Sequence, residues 1–461
     1  MCVKTYFSRG AAAVLSLLIT ASAFLSPSKA LAQNGKVLKL EEAVQTALEN
    51  NFLLEASRKG ASAASWGVKR AYTEFFPSVD FSLAYTRLDN GTLGRANAFY
   101  EFVQDNKDQF PEELTRNVRK SAWKNSYGPS ISVTQPIFTG GALLANLNQW
   151  QANDMRAQAD LENTQQETIL NVQLSYFGVL KANELLAVAR DYLQSTEEHL
   201  VSARKKVEAG LRSRSEILRW EVQKASAESL VLQAENRLEI AKTALNQVLG
   251  VDLNTEYTLT PVEELEVSVP ATLAEQTDLA LRRHSGLRVA EASVEVANAQ
   301  SHIARSNFVP KLGLAYNYSW EANDTFAFDS IKQWSLSVVA TIPIFNSFRD
   351  YAGYQQARKT TQQVENLREE YKRLLALQVK QASLSLETAQ KRVNITEKAR
   401  AEADENYRIV KNSYEVGLAS NLDYLDAQDA RNTARWNFID ARYDYLLAKT
   451  ELARAMGVLG R

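Results

Sequence analysis

The chain has 461 residues, 53 basic against 54 acidic, with 45% hydrophobic residues and one cysteine, Cys2. Near-neutral charge excludes nucleic acid as an ordinary electrostatic partner, and a single cysteine excludes a disulfide framework. The length is ample for stability by packing alone.

Residues 1–32 are expected to be an export signal. Lys4 and Arg9 give the positive end, Ala11 to Leu25 the apolar run, and Ala30, Leu31 and Ala32 a small-x-small cleavage site. The run is shorter than the roughly 20 residues of a spanning helix, and no later stretch approaches that length. Cleavage removes Cys2 and leaves 50 basic against 54 acidic residues.

Two copies of one unit follow, residues 33–250 and 272–461, joined by a linker at 251–271. In the first, Leu40 to Phe76 reads as helix, interrupted near Asn50 and Asn51 and stopped by Pro77. Strands are expected at about 78–88 and 128–137, where Val79, Phe81, Leu83 and Tyr85, then Ile131 and Val133, alternate with small or polar residues. Residues 88 to 126 read as one long polar loop, on Asn90, Gly91, Asn106, Lys107, Asp108 and Pro111. A long helical hairpin over 141–249, with its tip near Gly210, is rich in good helix formers and free of proline.

The second copy repeats this order. Leu273 to Arg283 and Leu287 to Phe308 read as helix before Pro310, with strands at about 311–320 and 334–343 and a hairpin over 346–457 whose tip lies near Gly417. Gly210 falls on Gly417, Ser213 on Ser420, Glu216 on Asp423, Pro136 on Pro343 and Gly250 on Gly457, always 207 residues apart. One offset kept this often marks a duplication.

Each tip reads as a tight reversal, with glycine ending one helix and serine opening the next. Ser213 with Glu216, and Ser420 with Asp423, have capping-box spacing. The first helix of each hairpin would be about 100 Å long at roughly 1.5 Å per residue. Its returning arm is only about half that, so the helices before Pro77 and Pro310 are expected to stack end to end with the returning arms. The linker is expected to pack as a belt around the middle.

Alternation over eight to ten residues fits both a membrane-crossing barrel strand and a strand of a soluble sheet. If the strands cross a membrane, four cannot close a barrel, and an open edge is not tolerated in lipid. Three chains would then pool twelve strands. The competing reading is an exported coiled-coil scaffold without a pore. An enzyme is not expected, because His199, His284 and His302 are scattered, no catalytic triad order or phosphate loop occurs, and His199 beside Glu198 reads as a surface pair. No metal site or cofactor is expected.

Phe76 with Pro77, Val309 with Pro310, the segments Pro136 to Phe138 and Pro343 to Phe345, and Tyr414, Gly417, Leu418, Leu422, Asp423, Leu425, Asp426, Ala427 and Gln428 stand in one order across the mature chain. In this the sequence resembles the TolC family of outer-membrane efflux proteins. The resemblance implies a mixed α and β membrane protein, a homotrimer with a twelve-stranded barrel in outer-membrane lipid and a twelve-helix tunnel in the periplasm. It implies a passive duct of an efflux or type I secretion system, opened at its tip by a periplasmic adaptor and joined to an inner-membrane transporter.

By the same resemblance Asp423 and Asp426 fall at the tunnel aperture, as stacked carboxylate rings; read from the residues alone, they complement a helix dipole. Tyr414 and Glu216 match positions that link neighbouring hairpins. Gly210, Leu211, Gly417 and Leu418 lie in the tip turns on which adaptors dock. Ala419 departs from the family, where an arginine can stand. Arg212, Arg214 and Arg219 are expected to pair instead with Glu415, Asp423 or Asp426.

Overall fold

The computed structural model describes residues 36–210, 212–262, 264–265, 269–323 and 331–460. The expected export signal and Leu211 lie outside the described residues. Strand β1 (Lys36–Leu38) leads into helices α1 (Leu40–Asn50) and α2 (Phe52–Thr73), then β2 (Ser78–Arg87). Helices α3 (Asn90–Asp105) and α4 (Glu112–Asn117) precede β3 (Asn125–Phe138) and the hairpin α5 (Ala142–Glu208) and α6 (Arg214–Leu249). Beyond β4 (Tyr257–Leu259) the order recurs as α7 (Leu273–Arg283), α8 (Ser285–Ser306), β5 (Lys311–Asn323), β6 (Ile331–Thr341), α9 (Arg349–Glu415) and α10 (Asn421–Ala455).

The helices form a layer four wide. Helix α5 is flanked on one side by α6 near the tips and α2 near the strands, and on the other by α10 and α8; α9 packs on the far side of α10 and α8. Each 67-residue helix thus runs beside two shorter ones set end to end. The junctions are tight. Gly250, at φ +71°, lies so close to α1 that a Cβ would sit 2.5 Å from the Asn50 carbonyl oxygen. Asn51, which caps α2, also donates its amide to the Val248 carbonyl at 3.1 Å. At the second junction a Cβ on Gly457 would meet the His284 backbone at 2.9 Å. Stacking answers how a 36-residue arm serves a 67-residue helix.

Around the middle, β1 pairs in parallel with β4, Lys36 opposite Tyr257. The Tyr176 hydroxyl lies 2.9 Å from the Leu38 and Thr260 carbonyls, and Lys449 donates to Leu265 at 2.7 Å. The linker's Leu265 joins Val172, Tyr176, Phe177, Leu249 and Tyr443 in the largest buried cluster.

The four long strands make an antiparallel sheet in the order β2-β3-β5-β6. Their register sorts the side chains into two faces. Val79 lies opposite Val133, Val133 opposite Tyr316, and Tyr316 opposite Leu336; Phe81, Ile131, Tyr318 and Trp334 form the next such row. On the other face Asp80, Ser132, Asn317 and Ser335 align, then Ser82, Ser130, Ser319 and Gln333. In these rows one face is apolar and the other small and polar, while Gln135 and Lys332 interrupt the apolar face further along and Val339 the polar one. Among the described residues nothing covers the apolar face: Phe81, Leu336 and Val338 are all more than half exposed.

Residues 88 to 126 are not one polar loop. Asp89 caps α3, accepting from the Gly91 and Thr92 amides at 2.8 and 3.0 Å. Asn97, 3% exposed, accepts from Ser121 and Ala122 and donates to the Ala122 carbonyl at 2.7 Å. Val103 is fully buried and Phe102 meets Phe110 edge-on. Asn90, Gly91 and Asn106, which read as loop residues, mark the ends of a helix instead, because Asp, Asn and Gly serve caps and turns alike.

Candidate functional site

The two hairpin tips carry the residues singled out in the sequence. Helix α5 ends in Gly210 at φ +73° and α9 in Gly417 at φ +85°, with nothing within 4 Å of a Cβ at either. Glycine is needed there for conformation and not for space. At the second tip the Leu418 amide returns to the Ser413 carbonyl at 2.8 Å and Gly417 to Tyr414 at 3.2 Å, the paired bonds of a Schellman ending. That turn presents Val416, Leu418 and Leu422 to solvent, Leu418 at 84% exposure.

The capping boxes differ. Ser420 and Asp423 form a complete one: the Asp423 amide donates to Ser420 Oγ at 3.1 Å, and Asp423 Oδ2 accepts from the Ser420 amide at 2.9 Å. These bonds, the Ser420 hydroxyl first, hold the Asp423 carboxyl below its usual pKa. At the first tip the expected box is absent. Ser213 accepts from Ser215 instead, because Glu216 has turned inward to the second hairpin.

There Tyr414 Oη donates to Glu216 Oε1 at 2.5 Å. Tyr414 stands on an aromatic cluster with Trp220, Tyr407 and Tyr424, closed by Leu200, Ala203 and Ala427. The Tyr407 and Tyr424 hydroxyls are 2.5 Å apart, Ser195 Oγ is 3.2 Å from Tyr407, and Tyr424 Oη bonds His199 Nε2. His199 stacks on Trp220 at 5.3 Å. The expected surface pair of His199 with Glu198 is therefore corrected: the ring lies inside the tip cluster.

Burial, and then the Lys411 charge, push the His199 pKa down to about 4, against the pull of Glu198 and Glu415. Burial and the Glu216 carboxylate hold the Tyr414 phenol protonated. Just above, Arg431 and Arg435 of α10 both donate to Asp404 of α9 at 2.9 Å, and Arg435 also to Asp191 of α5.

Arg212 approaches Glu216 at 3.9 Å and faces the Tyr414 ring. Among the described residues of one chain, none of Arg212, Arg214 and Arg219 pairs with Glu415, Asp423 or Asp426, so the expected pairing is not made within the chain. Asp426 is exposed one turn beyond Asp423.

The arrangement is a set of buried polar bonds between two hairpins, and separating the hairpins would strand each partner at about 1–3 kcal/mol. Such a contact is either made or broken. Sequence reasoning missed Trp220, Tyr407, Tyr424 and His199. Tyr407 and Tyr414, seven residues apart on one helix face, were the available signal.

A model of the outer membrane efflux protein family matches residues 43–251 and 277–458. The alkaline protease secretion protein AprF of Pseudomonas aeruginosa is 23% identical over 377 residues, covering 80% of this chain and 78% of that one. The outer membrane protein TolC of Escherichia coli is 22% identical over 353 residues, covering 73% and 70%. Among solved structures, CusC aligns with a TM-score of 0.77 at 19% identity over 93% of this chain and 95% of that one. The Campylobacter jejuni CmeC outer membrane channel aligns at 0.77 and 18%, over 91% and 85%.

Proposed function

The chain belongs to the outer membrane efflux protein family, and from that premise we propose that three copies close a twelve-stranded barrel in outer-membrane lipid above a twelve-helix tunnel. The protein is an outer-membrane efflux channel that extends into the periplasm. Among the described residues no helix is long and apolar enough to cross a membrane, so the crossing falls to the strands.

The observation that carries this reading is the register of β2, β3, β5 and β6. It gathers most of the large apolar side chains onto one exposed face and most of the small polar ones onto the other, with β2 and β6 left as open edges. A lipid-facing, water-filled barrel needs that division and has no place for open edges. The helical layer has the same incompleteness. Leu218, Val222, Leu232 and Ile240 on α6, and Leu367, Leu384 and Ile395 on α9, are exposed along its two margins. Joining α6 of one copy to α9 of the next covers both.

The tip is the gate. Tyr414 and Glu216 hold the two hairpins of one chain together, and Asp423 and Asp426 of three chains form the aperture rings. Arg214 and Arg219, free of Glu415, Asp423 and Asp426 within the chain, pair with these acids across the boundary between copies. A periplasmic adaptor docks on the tip turns at Gly210, Leu211, Gly417 and Leu418 and joins the duct to an inner-membrane transporter, which selects the cargo. Nothing in the tip cluster acts chemically on cargo.

The test is the protein mass, by light scattering with detergent subtracted, of chains extracted from outer membranes. Three times the chain mass is expected. A monomer soluble without detergent would overturn the pooled barrel.

A further inference from the structure

Two clefts of similar size lie between the helices at positions related by the duplication. The first, of about 550 Å³, opens between α5, α6 and α10, and the second, of about 510 Å³, between α9 and α10. Gly178, Ala182, Leu185, Arg237 and Ala241 line the first; Ser385, Ala389, Arg392, Asp444 and Ala448, each 207 residues on, line the second. The two differ in how charge is answered. In the second, Arg392 donates to Asp444 at 2.7 Å, and the chain bridges the cleft with its own side chains.

In the first, the same two positions hold Leu185 and Arg237, so the bridge is missing. Asp440, the acid in its lining, is taken by Lys181 at 2.8 Å. Among the described residues Arg237 makes no ion pair or hydrogen bond. The Trp436 indole N–H, which can only donate, is buried in the lining without an acceptor. An adjoining recess of about 270 Å³ shares Leu230 and Trp436 and adds the Asn432 amide nitrogen, also buried without an acceptor. Buried donors are nearly always satisfied. Here a cation and two donors converge on a space to which the chain brings no free acceptor.

The rest of the cleft is apolar. Ala182, Leu185, Leu230 and Ala234 stand beside the Trp436 ring, and nothing lies within 4 Å of a Cβ built at Gly178, so the floor is open. Several hundred Å³ of mostly apolar wall with a few polar groups is the make-up of a small-molecule site. Its direction follows from the belt. Tyr176 reaches the belt carbonyls of Leu38 and Thr260, whereas Gly178 and Leu185 stand roughly 200° and 180° around α5 from it. The cleft therefore opens on the face away from the belt, which is the tunnel side when the belt lies outside.

We propose that this cleft binds a small aromatic carboxylate or sulfonate, with its ring against Leu185, Leu230 and Trp436 and its anionic group received by Arg237 and the Trp436 N–H. Helices α5 and α6 belong to the first hairpin and α10 to the second, so the occupant touches both. The site goes beyond the duct reading, and its binding does not require the trimer.

The probe is naphthalene-2-sulfonate, in equilibrium dialysis against the full-length protein in detergent and against the same detergent alone. One saturable site per chain is expected, with a melting midpoint raised by the probe. Arg237 is on the exposed rim, and Arg237→Glu should weaken binding roughly tenfold while Arg237→Lys weakens it less. Leu185→Arg with Arg237→Asp rebuilds the bridge of the second copy and should abolish binding. The melting midpoint without probe reports whether each variant folds; if the double variant does not, Ala234→Phe fills the cleft from its wall and should abolish binding in its place. Uptake no greater than by detergent alone, or saturable binding that Arg237→Glu and the filled cleft leave unchanged, would overturn the site. Saturable binding by chains of monomeric mass would keep the site and remove the tunnel.

Discussion

The phenol of Tyr414, on the second hairpin, donates at 2.5 Å to the carboxylate of Glu216 on the first, and both side chains are buried, at 3% and 8% exposure. The bond spans two copies of a duplicated unit, yet it breaks their symmetry, since Val207 stands where Tyr414 has its counterpart. Glu216 serves this bond at the expense of its own helix cap. Tyr414→Phe removes the donor and leaves the carboxylate with Arg212 at 3.9 Å. A loss of about 1.5–3 kcal/mol is expected for a bond to a charged group. Purified Y414F should give larger single-channel conductance in planar bilayers; conductance equal to wild type would show that this bond does not hold the tip.

His199 makes the tip contact sensitive to acid. Its folded pKa, about 4, lies below the ordinary 6.5, so the unfolded chain takes up the proton first. Stability is complete above about pH 6.5 and is lost progressively as pH falls from there towards 4. His284, also lowered to about 4 by burial and Arg454, titrates in the same window at the α10–α8 junction. Melting curves of H199Q and H284Q at pH 7 and 4.5 should each show part of the wild-type pH dependence removed. A rise of conductance in acid should disappear in H199Q alone. If H284Q abolishes it as well, the effect is not local to the tip.

Asp423 and Asp426 have separable roles. Asp423 closes the capping box and Asp426 does not. Asp426→Asn should reduce cation selectivity, read as reversal potential in a salt gradient, and leave the melting midpoint unchanged. Asp423→Ala should reduce selectivity and also cost about 1 kcal/mol of helix stability. Unchanged selectivity in both variants would leave the acids as helix-end residues.

Asn97 fastens the helical insertion between β2 and β3 by three backbone bonds. Asn97→Ala strands two amides and a carbonyl, an expected loss of about 2–4 kcal/mol confined to residues 88 to 124. Protease added outside intact cells should cut N97A within this segment and spare the wild type, with the oligomer mass unchanged. Resistance equal to wild type would mean the insertion is held elsewhere.

Legibility in the sequence followed the range of each signal. Strand alternation, the glycine and serine of each tip, and the break near Asn50 are written in neighbouring residues; the structure has its long strands at Ser78–Arg87, Asn125–Phe138, Lys311–Asn323 and Ile331–Thr341. The insertion was misread because the same Asp, Asn and Gly end helices and build loops. The first capping box was misread because Glu216 had a partner 198 residues away.

The sequence by itself determined the duplication, the four alternating strands and the two long hairpins, since propensity, period and turn chemistry act over a few residues. Tertiary structure alone decided which alternating faces coincide, which helices stack end to end and which side chains fill the tip. Those depend on register and crossing between distant segments. One residue of slip in β3 would send Ile131 and Val133 to the polar face, and no local pattern records that choice. Phe348 shows the same division: the 207-residue offset names its counterpart as Gly141, but the positive φ of +59° that makes a phenylalanine there costly exists only in the folded turn.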